Sequence, residues 1–382
     1  MHICLYTETA LPKLGGQELV VDALARHLQA AGGRVTVLAA RPRRRWIVDD
    51  SQLPYRVVRH WPLFSTHRLV DWYRHALTRL YRRDPWDVLH CHSTYPCGYL
   101  ASLAGAALPT PVVITSHGGD VRAGNARLSK PGMDDRFRRA IERADALIAI
   151  SRFTSDAFRR LGARDGQVVS IPNGVDLTPF RQPVARPTAL DESIQSQRYL
   201  LFIGRLHRRK GVDVALEALA QSPARGGVEL VIAGSGDERT ALMQRTQALN
   251  LGERVRFVGS VAGDVKTYLL QNARAVVIPS RTWEAFPLVV LEAFAAGVPC
   301  IGTQIPGLGD LIVNDRNGWL AAPDSVDSLA PLLQQALHGD TCEALRPLVR
   351  IEAERYAWSN IASEHIQLYQ RLIERRAQRA AG

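Results

Sequence analysis

Short apolar runs alternate with segments of helical period along nearly the whole chain of 382 residues. In the segment 17–31, for example, apolar residues recur at close to the helical period: Leu19, Ala23, Leu24 and Leu28. Alternation of this kind is typical of repeated strand–helix–strand units, in which crossover helices join parallel strands. We therefore predict an α/β fold built on parallel sheets.

The predicted strands form two series, separated by a stretch that lacks periodicity. Residues 174–198 contain Pro179, Pro183 and Pro187 among polar residues, which favours a connection between two domains. The length of the chain also exceeds what one hydrophobic core usually covers. The predicted strands are 2–7, 34–39, 87–91, 112–116, 146–150 and 168–171 in the first series, and 199–204, 228–234, 254–258, 275–279 and 299–302 in the second.

The predicted helices complete two doubly wound domains. A long helix is predicted over 341–379, and its length suggests that it packs across both domains. Two such domains facing one another would place the carboxyl ends of both sheets on a shared cleft, where ligands of open α/β sheets bind. The remaining predicted helices lie near 17–31, 211–221, 238–250, 287–297 and 325–338.

Most of the net charge of +11 lies in the N-terminal half of the chain. This basic half suits an anionic lipid surface or a phosphate-bearing acceptor, although the same arginines could simply be solvated. Nucleic acid is not expected as a partner, because the arginines are not interleaved with stacking aromatics and no nucleic-acid-binding motif occurs. The basic clusters are Arg41, Arg43, Arg44 and Arg45, and Arg136, Arg138, Arg139 and Arg143.

Other compositional features argue against several classes of protein. No segment approaches the roughly 20 consecutive apolar residues that span a membrane, and the N-terminus lacks the features of a secretory leader. We therefore expect a cytoplasmic protein, with peripheral contact at the inner face of the membrane as an option. The cysteines are scattered and lack a C-x-x-C pair, which favours reduced thiols: Cys4, Cys91, Cys97, Cys300 and Cys342.

The strongest functional signal lies between the predicted strand 275–279 and the helix that follows it. Glu284 is placed in the connecting loop, and Glu292 is placed on the second turn of the helix. Pro287 suits the first turn, where a missing N–H is harmless. The free N–H groups at the start of such a helix favour binding of a diphosphate.

This segment resembles the paired-glutamate motif of glycosyltransferase family 4, a group of retaining enzymes with two Rossmann-like domains in the GT-B arrangement. The resemblance implies that Glu284 contacts sugar hydroxyls and that Glu292 contacts the nucleotide ribose. It also assigns the intervening Phe286, Pro287 and Leu288 to donor binding. Two solvated helix carboxylates are the alternative interpretation.

A second motif, Gly204-Arg205-Leu-His-Arg-Arg-Lys210-Gly211, ends the first strand of the second series. Two cations five residues apart can reach both phosphates of one diphosphate. The motif matches the Gly-Arg and Lys-Gly element of the family, so by resemblance Arg205 and Lys210 stabilise the departing nucleoside diphosphate. The intervening Arg208 and Arg209 are predicted to be solvated.

Further glycines follow other predicted strands and match segments of the same family. Gly259 follows strand 254–258, where the backbone of the family often meets the nucleotide base. Gly15 and Gly16, between Leu14 and Gln17, resemble the N-terminal glycine loop of the family and are assigned to donor binding. This loop lacks the G-x-G-x-x-G spacing of a dinucleotide-binding fingerprint.

The N-terminal domain contributes a histidine that the resemblance places near the reacting sugar. His117 and Asp120 follow strand 112–116 within a glycine turn, and family members often have histidine and glycine here. A lone histidine is more often structural. Three further residues match segments that line the cleft in the family, namely Ser151, Arg152 and Asn173.

The resemblance implies a division of the chain into four segments, and it implies a reaction. Residues 1–178 form an acceptor-binding domain, 179–198 a linker, 199–355 a nucleotide-sugar-binding domain, and 356–382 a C-terminal crossover helix. The implied reaction transfers a hexosyl unit from a nucleotide-diphosphate sugar to a glycan or lipid-linked acceptor with retention, in envelope or surface polysaccharide synthesis. We expect no cofactor and no metal, because no Asp-x-Asp is present to hold a divalent ion and cations would act in its place.

Three alternatives remain open at the level of sequence. An epimerase or hydrolase acting on nucleotide sugars could use the same scaffold, and it would consume the donor without an acceptor. A nicotinamide-dependent oxidoreductase would share the strand and helix pattern, but the glycine fingerprint is missing. A binding protein without turnover would bind the donor and transfer nothing.

Overall fold

A computed structural model describes residues 1–13, 15–41, 49–60, 70–122, 124–126 and 128–381. The chain divides into two compact units. The first combines Met1–Gly174 with Trp358–Gly382, and the second is Val175–Ala357. The predicted features at Leu14, Arg43, Arg44 and Arg45 lie outside the described residues.

The first unit contains a seven-stranded parallel sheet with the order β3-β2-β1-β4-β5-β6-β7. The order reverses beside β1, because the chain builds outward to β3 on one side and to β7 on the other, which is the doubly wound arrangement. The strands are β1 (His2–Thr7), β2 (Arg34–Ala40), β3 (Arg56–His60), β4 (Val88–Cys91), β5 (Val112–Ser116), β6 (Ala146–Ala149) and β7 (Val168–Ser170).

Helices cover this sheet and supply much of its core. Leu24 and Leu28 on the first helix are buried as predicted, whereas Leu19 is exposed, so its predicted place in the apolar stripe of this helix is wrong. The helices are α1 (Gly16–Ala30), α2 (Val70–Arg83), α3 (Tyr99–Ala104), α4 (Met133–Arg143) and α5 (Arg152–Arg160), together with the terminal helix α12 (Trp358–Ala381).

The second unit contains a six-stranded parallel sheet with the order β10-β9-β8-β11-β12-β13. Its strands are β8 (Leu200–Ile203), β9 (Leu230–Ala233), β10 (Val255–Gly259), β11 (Ala275–Ile278), β12 (Cys300–Thr303) and β13 (Gly318–Ala321). Its helices are α6 (Val212–Gln221), α7 (Arg239–Ala248), α8 (Gly263–Asn272), α9 (Leu288–Ala295), α10 (Val326–His338) and α11 (Thr341–Glu354).

The structure differs from the sequence prediction at the edges of the sheets and in the last helix. Strands β3 and β13, which lie at sheet edges, were not predicted. The single helix predicted over 341–379 is two helices, interrupted at residues 355–357. At this interruption Ala357 forms a bridge with Val175, and the N–H of Val175 donates to the carbonyl of Tyr356 at 2.8 Å. The chain therefore passes between the units at these paired positions.

The segment predicted as a linker belongs to the second unit. Residues 179–198 are irregular, as the prolines predict, but Leu190 and Ile194 are buried in the core of that unit. The carbonyl oxygens of Leu190, Asp191 and Ile194 all accept hydrogen bonds from Arg186. A segment anchored in this way packs as part of a domain.

All five cysteines are unpaired and buried. Burial raises the pKa of Cys91, Cys97 and Cys300 above that of an ordinary thiol. Within the described ranges, no helix combines the length and apolar character needed to cross a bilayer.

Candidate active site

The strand order of the second unit reverses between β8 and β11, which is the point where a doubly wound sheet forms a crevice. Strands β8 and β11 are neighbours, but the chain leaves β8 towards β9 and leaves β11 towards β12, on opposite sides. The segments 204–211 and 279–287 follow these two strands and meet at their carboxyl ends. Ligands of doubly wound sheets bind at such a switch point.

Glu284 lies in this crevice and is 7% exposed. Its Oε1 accepts hydrogen bonds from Ser280 Oγ at 2.6 Å and from Lys210 Nζ at 2.7 Å. Arg209 Nη1 is 3.3 Å from the same oxygen. No donor to Oε2 occurs within the described part of the chain, so this oxygen remains as an acceptor in the crevice. The alternative interpretation, a solvated carboxylate, is therefore excluded for Glu284.

The electrostatic surroundings keep Glu284 ionised. Burial raises the pKa of this carboxyl, but the positive charges of Lys210 and Arg209 and the hydrogen bonds from Lys210 and Ser280 outweigh burial. The net effect is a pKa below the ordinary value for glutamate. A buried carboxylate that is both ionised and hydrogen-bonded is a fixed acceptor for hydroxyl groups.

Arg281 fastens the two segments of the crevice to each other. Its guanidinium makes a two-pronged ion pair with Asp213 at 2.6 and 2.8 Å, and it donates to the carbonyl of Arg208 at 2.9 Å. Its Nε donates to Asp324 at 2.7 Å. Paired guanidinium–carboxylate bonds of this kind fix geometry as well as charge. The position of Lys210 relative to Glu284 is therefore held by contacts on both sides.

Two glycines allow the loops to approach each other at the site. Gly211 has φ +65°, and a Cβ there would lie 2.0 Å from the carbonyl oxygen of Pro279. Gly307 has φ +89°, and a Cβ there would lie 1.7 Å from the carbonyl oxygen of Glu284. Any side chain at either position would force the backbones apart. The glycine after Lys210 is thus a requirement of the crevice.

Glu292 lies on α9, eight residues after Glu284 in the chain. It is partly exposed, and its Oε1 accepts from Lys266 Nζ at 2.6 Å. Lys266 lies on α8, so this ion pair joins the helices that follow β10 and β11. The ribose contact that the resemblance implies for Glu292 remains a prediction.

The other predicted donor residues lie at strand ends and at the start of α9. Pro287 is the residue before the helix, Leu288 is its first residue, and Phe286 packs 6.4 Å from the ring of Tyr356. Gly204 and Gly259 follow or end β8 and β10. The loop that begins at Gly234 connects them, because Gly234 N donates to the Gly259 carbonyl at 2.7 Å and a Cβ at Gly234 would lie 1.8 Å from the Gly204 carbonyl.

The two predicted phosphate-binding cations differ in their surroundings. Lys210 is half-buried and paired with Glu284. Arg205 is exposed, and among the described residues its side chain makes no hydrogen bond or ion pair. The structure therefore brings Lys210 to Glu284 and leaves the guanidinium of Arg205 available. The prediction that Arg208 and Arg209 are both solvated is correct for Arg208 and wrong for Arg209, which is half-buried against Trp283.

In the first unit, His117 follows β5 and stacks on a second histidine. Its Nε2 lies 3.2 Å from Nδ1 of His92, and the two rings are nearly parallel with centroids 5.4 Å apart. Burial lowers the pKa of His117 to about 4 and that of His92 well below the ordinary value. Both rings are neutral at neutral pH. His117 can therefore donate or accept a hydrogen bond, but it is not a cation for phosphate.

The histidine pair is part of a larger buried cluster. His90 bonds to the Tyr369 hydroxyl at 2.6 Å and to Thr115 Oγ1 at 2.7 Å. Its ring lies 4.3 Å from that of His92 and 5.7 Å from that of His365. Within the described residues, no three such side chains are placed to hold one metal ion. The cluster joins the ends of β4 and β5 to α12.

Asp120 holds the loop that carries His117. One carboxylate oxygen accepts from the backbone N–H of Thr94 at 2.7 Å, and the other accepts from Ser116 Oγ. Asn125 donates to the Asp120 carbonyl at 2.7 Å. Both oxygens are thus engaged within the fold, which gives Asp120 a structural role. The acceptor or cleft contact that the resemblance implies for it remains a prediction.

The glycine loop before α1 is occupied by a side chain of the protein. Gly15 precedes the helix and Gly16 begins it. A Cβ at Gly15 would lie 2.4 Å from a carboxylate oxygen of Glu18, which also binds Thr9 at 2.6 Å and Lys13 at 3.0 Å. This carboxylate already interacts with the positive end of the helix. The donor contact that the resemblance implies for Gly15 and Gly16 remains a prediction.

The remaining predicted cleft residues have structural explanations. Ser151 is buried and caps α5 in a reciprocal arrangement with Thr154. Arg152 is exposed at the start of that helix. Asn173 is buried and lines a small cavity with His92 and His365. The place beside the cleft that the resemblance implies for these three residues remains a prediction.

Sequence reasoning missed several residues that shape the two sites. Ser280 and Arg281 belong to the loop that the first motif marks, and Asp213 follows the second motif by two residues, but nothing in their spacing indicates which side chains face inward. His92 directly follows the predicted strand 87–91 and could have been found as a polar residue after a strand. His365 is hidden within the periodicity of α12, where it occupies a buried position.

Two family models match this chain over most of its length. Residues 14–179 match the model described as Glycosyltransferase Family 4. Residues 191–351 match the model described as Glycosyl transferases group 1.

Two relatives are similar to this chain over most of its length. Phosphatidyl-myo-inositol mannosyltransferase of Mycolicibacterium smegmatis is 30% identical over 93% of this chain and 90% of the relative. D-inositol 3-phosphate glycosyltransferase of Jonesia denitrificans is 31% identical over 77% and 74% of the two chains.

Solved structures share the fold at lower identity. Anabaena HepE in complex with UDP and glucose is 20% identical, with a TM-score of 0.75 over 97% of this chain and 100% of that structure. A glycosyltransferase from Rickettsia africae is 16% identical, with a TM-score of 0.80 over 97% and 98%. These similarities confirm the predicted fold class of two Rossmann-like domains.

Proposed function

Because this chain belongs to glycosyltransferase family 4, we propose that it transfers a hexosyl unit from a nucleotide-diphosphate sugar, with retention of anomeric configuration. The proposed acceptor is a glycan or a lipid-linked glycan. The crevice of the second unit is the proposed donor site.

The observation that carries this proposal is the pairing of Glu284 with Lys210 at the switch point. The carboxylate is buried and ionised, and it retains one oxygen for a sugar hydroxyl. The ammonium group beside it is 2.7 Å away and only half-buried. A site with an acceptor for hydroxyls and cations for phosphates matches the two ends of a sugar diphosphate.

Neighbouring features support a nucleotide as the remainder of the donor. The N-terminus of α9 begins at Leu288, four residues after Glu284, and helix N-termini attract phosphate groups. Glu292, one turn further, is a carboxylate of the kind that binds ribose hydroxyls in doubly wound folds. The related Anabaena structure holds UDP, which makes uridine diphosphate the first donor to test.

The proposed chemistry breaks the bond between the anomeric carbon and the diphosphate oxygen and forms a bond from that carbon to the acceptor hydroxyl oxygen. The departing phosphate oxygen takes the proton of the acceptor hydroxyl on the same face of the sugar. Lys210 and Arg205 stabilise the negative charge that develops on the diphosphate. No protein nucleophile and no divalent metal is required in this proposal.

The proposed acceptor and location follow from the basic first unit. Arg136, Arg139 and Arg143 lie on α4, where Arg138 is paired with Asp134 in the same helix. Such a surface suits peripheral contact with the cytoplasmic face of an anionic membrane. Synthesis of an envelope or surface polysaccharide is the proposed role, and one relative is described as a putative teichuronic acid biosynthesis glycosyltransferase. Co-sedimentation with anionic and neutral vesicles would test the membrane contact.

The reaction can be tested by following transfer from UDP-, GDP- and ADP-sugars to glycan and lipid-linked acceptors. We expect one donor class to give a product whose anomeric configuration, read by NMR coupling constants, matches that of the donor. We also expect the rate to be unchanged when EDTA replaces Mg²⁺. An inverted product would contradict the retaining mechanism, and loss of activity in EDTA would contradict metal independence.

A further inference from the structure

Arg209 directly precedes Lys210 in the chain, and two contacts with Trp283 hold its side chain in place. Its Nη1 donates to the backbone carbonyl of Trp283 at 2.5 Å. Its guanidinium carbon lies 4.9 Å from the centroid of the Trp283 ring. A guanidinium that is both stacked and hydrogen-bonded keeps one orientation.

The same nitrogen of Arg209 reaches the carboxylate of Glu284. Nη1 is 3.3 Å from Oε1, the oxygen that Lys210 and Ser280 also contact. Three donors therefore converge on one oxygen and turn the other, Oε2, away from them. The orientation of the carboxylate is set by this one-sided arrangement.

The second cation beside Glu284 matters for the charge balance of the site. A carboxylate that is 7% exposed needs a compensating cation to stay ionised. Lys210 supplies one, but in the proposed reaction the same ammonium group also faces the diphosphate. If Lys210 were the sole cation beside Glu284, donor binding would weaken the compensation at the moment when the carboxylate is needed.

We propose that Arg209 is a positioning residue that holds Glu284 oriented towards the sugar while Lys210 turns to the diphosphate. This inference rests on the proposed function. In this proposal Arg209 acts through Glu284, because its Nη1 is already engaged by the Trp283 carbonyl and by Glu284 Oε1. In this proposal Arg209 stays beside Glu284, whereas Lys210 interacts with both Glu284 and the diphosphate.

The neighbouring Arg208 provides a matched control. It is exposed, and its described contact at the site is made by its backbone carbonyl, which accepts from Arg281. An alanine at position 208 keeps this carbonyl. Arg208→Ala and Arg209→Ala remove the same side chain at adjacent positions, and one of them alone removes a contact to Glu284.

We expect Arg209→Ala to lower kcat about 10- to 100-fold, because a hydrogen bond to a charged group contributes on that scale. The KM for the donor should change by less than about threefold, since the phosphate-binding groups remain. Arg208→Ala should retain kcat within about twofold. Thermal melting of each variant shows whether the fold is intact.

The pH profile separates positioning from a general structural effect. Lys210 and Arg209 are the cations beside Glu284, and Arg281 in the same loop is paired with Asp213 and Asp324. Loss of Arg209 removes one of the two charges that lower the pKa of Glu284. The acid limb of kcat/KM should therefore move to higher pH in Arg209→Ala. Arg209→Lys keeps the charge and should restore the limb, while regaining only part of the rate.

The outcomes distinguish this inference from the proposed function. If the wild-type chain transfers no sugar from any donor, the proposed function fails and the inference fails with it. If the wild type is active and Arg209→Ala matches Arg208→Ala in kcat and in the acid limb, the inference alone is overturned. A fall in rate without movement of the acid limb would also overturn it, because a structural defect explains that result.

Discussion

Replacing Glu284 by glutamine is expected to lower kcat/KM for sugar transfer by about 100- to 1,000-fold, on the scale of losing one preorganised polar group in a catalytic site. The substitution keeps the size of the side chain and removes its charge. Lys210 and Arg209 then face an amide in place of a carboxylate, and both the acceptor for the sugar hydroxyl and the partner that orients Lys210 are weakened. Steady-state kinetics with the donor identified for the wild type provide the measurement.

The fold should survive this change. The side chains of Lys210 and Arg209 are 18% and 24% exposed, so water can solvate the charges that lose their partner. Glu253→Gln is the matched control, because Glu253 lies in the same unit and is exposed. Near-normal turnover in Glu284→Gln, with a melting temperature equal to that of the control, would contradict the assignment of the site.

Acidification is expected to destabilise the first unit steeply between pH 6.5 and pH 5. Burial lowers the pKa of four clustered histidines, to about 4 for His117 and His365 and well below the ordinary value for His90 and His92. In the unfolded chain these groups titrate near pH 6.5. Below that pH the unfolded state binds more protons than the folded state, so stability falls as the pH decreases.

The size of this effect follows from the number of histidines. Each one that is neutral when folded and protonated when unfolded contributes a slope of up to about 1.4 kcal/mol per pH unit. Four would contribute up to about 5 kcal/mol per pH unit, which is comparable with the whole stability of many domains. The free energy of unfolding, measured with denaturant at a series of pH values, tests this. Working above pH 5 limits the contribution of carboxylates.

A single substitution should reduce the slope. His365→Phe removes one buried ring that titrates and replaces it with one that does not, so the dependence on pH should become shallower by up to about one quarter of the histidine contribution. His75→Gln, at an exposed position on α2, is the control and should leave the slope unchanged. An identical slope in His365→Phe would show that the cluster is not the source of acid sensitivity.

The positions of Glu284 and Lys210 at strand ends could be predicted from the sequence pattern, whereas their roles rest on the family resemblance. Glu284 and Lys210 follow neighbouring strands, and the pattern of β8 and β11 is regular enough to place both at strand ends. The doubly wound class follows from the same regularity. The ion pair between Glu284 and Lys210 could not be predicted, because residue type and spacing do not determine the direction in which each side chain points.

Residues that meet through tertiary contacts could not be predicted. His90, His92, His117 and His365 approach one another only when β4, β5 and α12 pack together. Arg209 is half-buried because Trp283 lies against its guanidinium, and the run of basic residues from 208 to 210 gives no sign of this contact. Strand β3, which begins and nearly ends with arginine, lacks the apolar run that marks the central strands.

The boundaries of the domains also depend on tertiary contacts that the local sequence pattern does not show. The prolines in 179–198 correctly predict irregular backbone, but irregular backbone can still be anchored by a few apolar side chains such as Leu190 and Ile194. The division of the long terminal helix at 355–357 depends on pairing with Val175, which is remote in sequence. Periodicity detects neither kind of contact.

The central claim is that the crevice of the second unit binds a nucleotide-diphosphate sugar, and calorimetric titration tests it most directly. UDP-, GDP- and ADP-sugars would be titrated into the wild type, Lys210→Ala and Arg208→Ala, each in EDTA. We predict that one nucleotide class binds the wild type and Arg208→Ala with equal affinity. The same nucleotide class should bind Lys210→Ala at least about tenfold more weakly, as expected for loss of a charge-assisted contact. Equal affinity in all three proteins, or binding of a nicotinamide cofactor in place of every nucleotide sugar, would contradict it.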